Sequence, residues 1–113
     1  MNINPILNQL KDKTGFSTNE NYYPENEESW ITYNYADVYK DTFSDNVASQ
    51  SVASIQIHLF MPSAKNFHPV LDLINSFLED KNFEEIQWQT LYENDSKMNH
   101  VIFTCSYRER KEQ

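Results

Sequence analysis

Apolar residues at helical spacing mark the start of the chain. Ile6, Leu7 and Leu10 follow Ile3 at positions i+3, i+4 and i+7, which places all four on one face of a helix. Pro5 is compatible with this pattern because proline is tolerated in a first helical turn. The spacing predicts a helix over residues 3–13 that ends at Gly15, where a left-handed residue commonly follows the last turn.

Two alternating stretches then predict a hairpin. The segment "SWITYNYADV" (29–38) is rich in β-branched and aromatic residues, and "QSVASIQIHLFM" (50–61) alternates apolar residues with a mixed set, as half-buried strands do. The segment "FSTNENYYPENEE" before them is polar and is predicted to be mostly a connection, with room for a short edge strand. A long acidic connection, Val38–Gln50, joins the two predicted strands.

The apolar period changes after Pro62. Phe67, Val70, Leu71, Ile74, Phe77 and Leu78 form one stripe, so a second helix is predicted over residues 64–81. Two more strands, "FEEIQWQTLYEN" and "HVIFTCSYRER", follow, with "DSKM" as the turn between them.

This order predicts an α+β fold. We expect a mostly antiparallel four-stranded sheet with two helices packed on one face, in the order α-β-β-α-β-β. Residues 1–113 are predicted to form a single domain whose charged tail, 108–113, frays.

Apolar residues occur on both faces of the predicted strands. One set alternates so that it points away from the face that carries Ile55 and Ile57. Two interpretations remain open at this stage. The second set is either covered by the N-terminal helix and loop or used in protein–protein contact. Its members are Trp30, Val52, Phe60, Phe83 and Leu91.

Composition narrows the functional classes. Nine Lys and Arg against 17 Asp and Glu give a net charge of −8, which disfavours sequence-independent binding to nucleic acid. The sequence has no run of 18 apolar residues and no basic, apolar leader, so we predict a cytoplasmic protein without membrane contact. Gly15 is the single glycine, and Gly-rich phosphate loops are therefore excluded.

Candidate catalytic and metal-binding residues do not form recognisable sets. His58, His68 and His100 lack metal-ligand spacing, and His58 is predicted to lie on the mixed strand face with a satisfied ring nitrogen. Cys105 and His100 share one predicted strand, roughly 16 Å apart, so a nucleophile pair is not expected. We predict no catalytic, cofactor or metal site. Trp30 and Trp88 lack the basic neighbours of a base-stacking surface.

The chain resembles the small tail terminator and tail-completion proteins of long-tailed bacteriophages and prophages. The resemblance rests on the order of the segments "WITYNYAD", "IQIHLFMPS", "FHPVLDLINSFLED" and "FEEIQWQTLYENDSKMNHVIFTCSYR", and covers about residues 3–108. The turn "YENDSKMNH" is similar to the "Y-E-x-D-T…H" hairpin of many such proteins, with Ser96 in place of the usual Thr.

The resemblance implies a non-enzymatic virion protein. Its subunits are expected to form a ring, commonly of six, that caps the tail tube, contacts the tail-tube protein and the head–tail connector, and lets DNA pass without specific binding. The expected location is the virion tail, assembled in the bacterial cytoplasm. Alternatives are another neck protein, such as a head-completion or connector subunit, or a small host ligand-binding domain or enzyme. The residues predicted to contact partners are Tyr39, Asp41, Phe43, Asp45, Asp95 and His100.

Overall fold

A computed structural model describes residues 1–41 and 50–109 of the chain. The described part contains five strands in one sheet, in the spatial order β1-β2-β3-β5-β4. In chain order its elements are α1 (Asn4–Leu7), α2 (Leu10–Thr14), β1 (Ser17–Glu20), β2 (Trp30–Asp41), β3 (Gln50–Pro62), α3 (His68–Asp80), β4 (Glu84–Glu93) and β5 (Met98–Glu109).

The prediction of a four-stranded sheet is wrong, because the sheet has five strands and includes one parallel pair, although the fold is α+β overall. A fifth strand, β1, pairs parallel with the start of β2, placing Ser17 opposite Trp30. The β2–β3, β3–β5 and β5–β4 pairs are antiparallel. The strand gave no apolar signal because it is four polar residues long and buries only Thr18.

The predicted N-terminal helix is divided into α1 and α2. The apolar face is retained, since Ile3, Leu7 and Leu10 are all buried. Gly15 follows α2 with a left-handed φ of 77°, which confirms the predicted end of this segment. The turn at Gly15 directs the chain into β1.

The core lies between one face of the sheet and the three helices. Ile55, Ile57 and Phe103 are fully buried on that face, and α3 covers them with its apolar stripe. The helices therefore cover the face that carries Ile55 and Ile57. The stripe consists of Leu71, Ile74, Phe77 and Leu78.

Phe83 belongs to this core, not to the opposite face where its parity placed it. A β-bulge between Glu84 and Gln87 interrupts the β4–β5 register, and Glu85 has a positive φ of 54°. The bulge changes which side chains point toward the helices, so simple alternation failed at this position.

The sheet makes the molecule elongated, with extents of 54 × 24 × 23 Å. Pairing of β2 with β3 continues to Asp41 opposite Gln50, past a bulge between Tyr35 and Asp37. Beyond that bulge the residues of β2 with described side chains, 36–40, are exposed. We call residues 36–41 the arm. No helix in the described residues has the length and apolar character needed to span a membrane.

Candidate assembly interface

The helices leave the opposite side of the sheet uncovered, and we call this side the open face. Register places it on β2 at Trp30, Thr32 and Asn34, and the cross-strand pairs continue it across β3, β5 and β4. Its centre is mostly polar, whereas one end is aromatic. The other residues of the open face are Phe60, His58 and Gln56 on β3, His100, Ile102 and Thr104 on β5, and Leu91, Gln89 and Gln87 on β4.

The aromatic end is a continuous stack of rings. Trp30 stacks on Phe60 with centroids 4.9 Å apart, and Phe60 stacks on His100 at 4.1 Å. Tyr23, from the loop between β1 and β2, lies 5.3 Å from the Phe60 ring. Phe60 is consequently only 4% exposed. The loop, rather than the N-terminal helix, covers this apolar end, while Tyr23 itself remains 60% exposed.

His58 and His100 meet beside this stack. His58 Nδ1 lies 2.8 Å from His100 Nε2, and His58 Nε2 lies 3.2 Å from Asn34 Oδ1. His100 Nδ1 approaches Glu93 Oε1 at 3.5 Å. Both ring nitrogens of His58 have partners, which confirms the prediction of a satisfied ring.

The two histidines are harder to protonate than free imidazole. Burial lowers the pKa of His58, and the nearby His100 lowers it further. Burial also lowers the pKa of His100, while the Glu93 carboxylate acts in the opposite direction. Proton uptake by this pair therefore begins below the ordinary histidine range.

Cys105 is not placed to act as a nucleophile with His100. The thiol is buried on the helix-covered face, and burial raises its pKa to about 12, so the reactive thiolate is suppressed. His100 lies on the other face of the same strand. Within residues 1–41 and 50–109, no three His, Cys, Asp or Glu side chains are grouped to hold a metal ion.

The predicted contact residues fall at two ends of the sheet. Tyr39 is 48% exposed on the arm, and Asp41 ends β2 opposite Gln50. Asp95 is exposed in the turn between β4 and β5, and His100 is partly buried in the ring stack. The two ends are roughly 30 Å apart, because nine residues of β3 separate position 51, which pairs with the arm, from position 60, which pairs with His100. Phe43 and Asp45 lie outside the described residues.

Strand β4 adds an exposed edge, of which the sequence singled out only Leu91 for protein–protein contact. It is the outermost strand beside β5, and nine of its ten residues are exposed. Trp88, Leu91 and Tyr92 are each about half exposed. An open edge of this length that exposes apolar side chains is a template for pairing with another chain. The sequence could have indicated this edge, because the segment of β4 contains apolar residues on both strand faces and the predicted helices cover only one face.

Comparison with known proteins gives similarity to solved structures. No family model matches the chain, and no curated protein is similar to it. Among solved structures, the chain is similar to one in "Virion of native gene transfer agent (GTA) particle". The TM-score is 0.57 at 11% identity, over 88% of this chain and 82% of the other. At that identity the likeness establishes a shared fold.

Proposed function

We propose that this protein is a structural component of a phage-like particle, and specifically a tail terminator that closes the tail tube with a ring of its own copies. The observation that carries the proposal is the fold shared with a virion chain over 88% of this chain and 82% of the other. The resemblance of the sequence to tail terminators points in the same direction and supplies the finer role.

The geometry supports a head-to-tail contact between copies. The β4 edge offers Leu91 and Tyr92, about half exposed, and the arm offers Val38 and Tyr39, also about half exposed. The two surfaces lie toward opposite edges of the sheet, because β5 and β3 separate β4 from β2, and β1 pairs with residues 30–33 of β2 but not with the arm. A contact between different surfaces of identical subunits closes into a ring when the rotation between them permits. The number of subunits, six, comes from the resemblance.

Charge is consistent with the same role. The net charge of −8 repels the phosphate backbone. An acidic ring lets DNA move through its opening without adhering, which is the property the head–tail passage requires.

The proposal predicts association that depends on the β4 edge. Light scattering gives the mass of the purified chain across a concentration series, with and without tail-tube protein. The unsubstituted chain is expected to reach a closed oligomer, alone or on tubes. Leu91→Lys is expected to weaken association at least tenfold, because a charge replaces an apolar side chain in the contact.

Leu73→Lys is the matched control. Leu73 is an equally exposed leucine, at 46% against 49% for Leu91, but it lies on α3 in the helix layer. We expect its association to equal that of the unsubstituted chain. Equal losses in both variants, or in neither, contradict a contact through the β4 edge.

A second neck role remains a candidate because the similar chain is described only as part of a virion. A head-completion or connector subunit uses the same kind of ring contact but binds the portal side of the junction. Binding to purified connector with no binding to tail tubes favours that role over the terminator.

A further inference from the structure

Side chains from four strands of the open face form one continuous series of polar contacts. Glu93 Oε1 lies 3.5 Å from His100 Nδ1, and His100 Nε2 lies 2.8 Å from His58 Nδ1. His58 Nε2 lies 3.2 Å from Asn34 Oδ1. Asn34 Nδ2 then donates to Gln56 Oε1 at 3.5 Å. The series thus crosses from β4 through β5 and β3 to β2, and returns to β3.

The number of ring hydrogens determines which atom donates and which accepts in each of these contacts when both histidines are neutral. The Glu93 carboxylate can only accept, so His100 Nδ1 must carry a hydrogen. His100 Nε2 is then an acceptor for His58 Nδ1–H, and His58 Nε2 is left as an acceptor too. It needs a donor from Asn34, whose amide must turn so that Nδ2 faces the ring.

One additional proton on the histidine pair exchanges donor and acceptor in the contact between His58 Nε2 and the Asn34 amide. With three hydrogens on the two rings, His58 Nε2–H can donate to Asn34 Oδ1, which lies 3.2 Å away. Asn34 Nδ2 is then free to donate to Gln56 Oε1. A fourth hydrogen puts two N–H groups against each other across 2.8 Å, which forces the rings apart.

We propose that His58 and His100 form a single-proton switch, which reverses the side-chain amides of Asn34 and Gln56 on the open face as the pH falls. The amides occupy the polar centre of that face, so the switch changes its pattern of donors and acceptors and adds one positive charge. Any partner that contacts this centre meets a different surface at mildly acidic pH.

The surroundings partly offset the cost of placing one proton on the buried histidine pair. Phe60 stacks on His100 at 4.1 Å, and the face of an aromatic ring attracts a cation. The Glu93 carboxylate attracts the same charge. Burial of both rings opposes it, so the switch acts below the ordinary histidine range.

Other charged groups on the segments that adjoin the open face come from three places, and one of these groups, Glu28, pairs with Lys65 at 3.6 Å. The β1–β2 loop that carries Tyr23 also carries three exposed carboxylates, and Asp95 is exposed in the β4–β5 turn. At the far end of β5, Arg108 Nε lies 3.8 Å from Glu84 Oε1. The loop carboxylates are Glu25, Glu27 and Glu28.

Nitrogen NMR of the labelled chain between pH 8 and pH 4.5 tests the switch. At pH 8, both rings are expected to be the Nδ1–H tautomer. On acidification the signals of His58, His100 and the Asn34 amide are expected to move with one shared midpoint. His68, on α3, provides an internal histidine reference. Nε2–H tautomers at pH 8, or an Asn34 amide that does not follow the histidines, overturn the proposal.

Two variants separate the switch from general effects of acid. Glu93→Gln removes the carboxylate at the exposed end of this series of contacts, and we expect the shared midpoint to fall because Glu93 raises the pKa of His100. His58→Gln removes the ring that contacts Asn34, so the Asn34 amide should become insensitive to pH. Since Glu93 is 45% exposed, its substitution leaves the fold intact, and an unchanged midpoint in that variant contradicts the proposal.

Discussion

At the scale of single residues, the contact between His58 and His100 illustrates what the sequence could and could not provide. Alternation along "QSVASIQIHLFM" correctly put His58 on the mixed face, where a polar partner was expected. Its partner is 42 positions away, and only the register of β3 on β5 brings the two rings together. A one-residue change of that register places His100 on the other face.

The histidine pair makes stability depend on pH. Both folded pKa values are lowered from the ordinary value of 6.5, so the unfolded chain binds more protons in the window just below it. The free energy of unfolding is therefore expected to be highest above pH 6.5 and to decrease as the pH falls toward 5. Denaturant unfolding at a series of pH values measures this dependence.

The double variant His58→Gln, His100→Gln is the control for that series. It removes both titrating rings, so its stability should change little between pH 7 and pH 5, whatever its absolute value. A slope equal to that of the unsubstituted chain shows that other groups cause the loss.

At the scale of elements, the sequence predicted those that bury apolar side chains at a regular period. Strands β2, β3 and β5 and helix α3 follow the predicted segments because alternation or a 3.6-residue stripe records their burial. Strand β1 was allowed for as a short edge strand but left out of the predicted sheet, because its pairing rests on backbone hydrogen bonds and buries only Thr18. The bulge after Glu84 was missed because it needs only Glu85 at a positive φ, which leaves no apolar signature.

Helix α3 allows a test with adjacent residues. Ile74 is fully buried against the sheet, whereas Leu73 beside it is 46% exposed. We expect Ile74→Ala to lower the free energy of unfolding by about 2–5 kcal/mol, because it leaves a cavity in the core. Leu73→Ala is expected to cost less than about 0.5 kcal/mol. Denaturant unfolding of both variants measures the difference, and similar losses contradict the described packing of α3.

At the scale of the whole molecule, shape and charge set the conditions for assembly. The chain is about twice as long as it is wide, and its arm and β4 edge expose apolar side chains on opposite edges. Its net charge of −8 opposes contact between copies. The proposed assembly therefore requires the apolar contact to exceed this repulsion.

Salt is expected to promote association of the purified chain. Raising the ionic strength from about 0.01 to 0.3 M shortens the screening length to less than about 10 Å and weakens repulsion between acidic copies, while the apolar contact remains. Sedimentation velocity at several salt concentrations measures the change. Dissociation at higher salt indicates a contact held by ion pairs and contradicts an apolar interface at the β4 edge.

Electron microscopy of tail tubes grown with and without this protein tests the central claim most directly. A terminator is expected to form one ring at the growing end of each tube, to stop elongation and to leave the tubes shorter. Leu91→Lys should lose this effect, and Leu73→Lys should keep it. Tubes of unchanged length with bare ends at saturating protein contradict the proposed role.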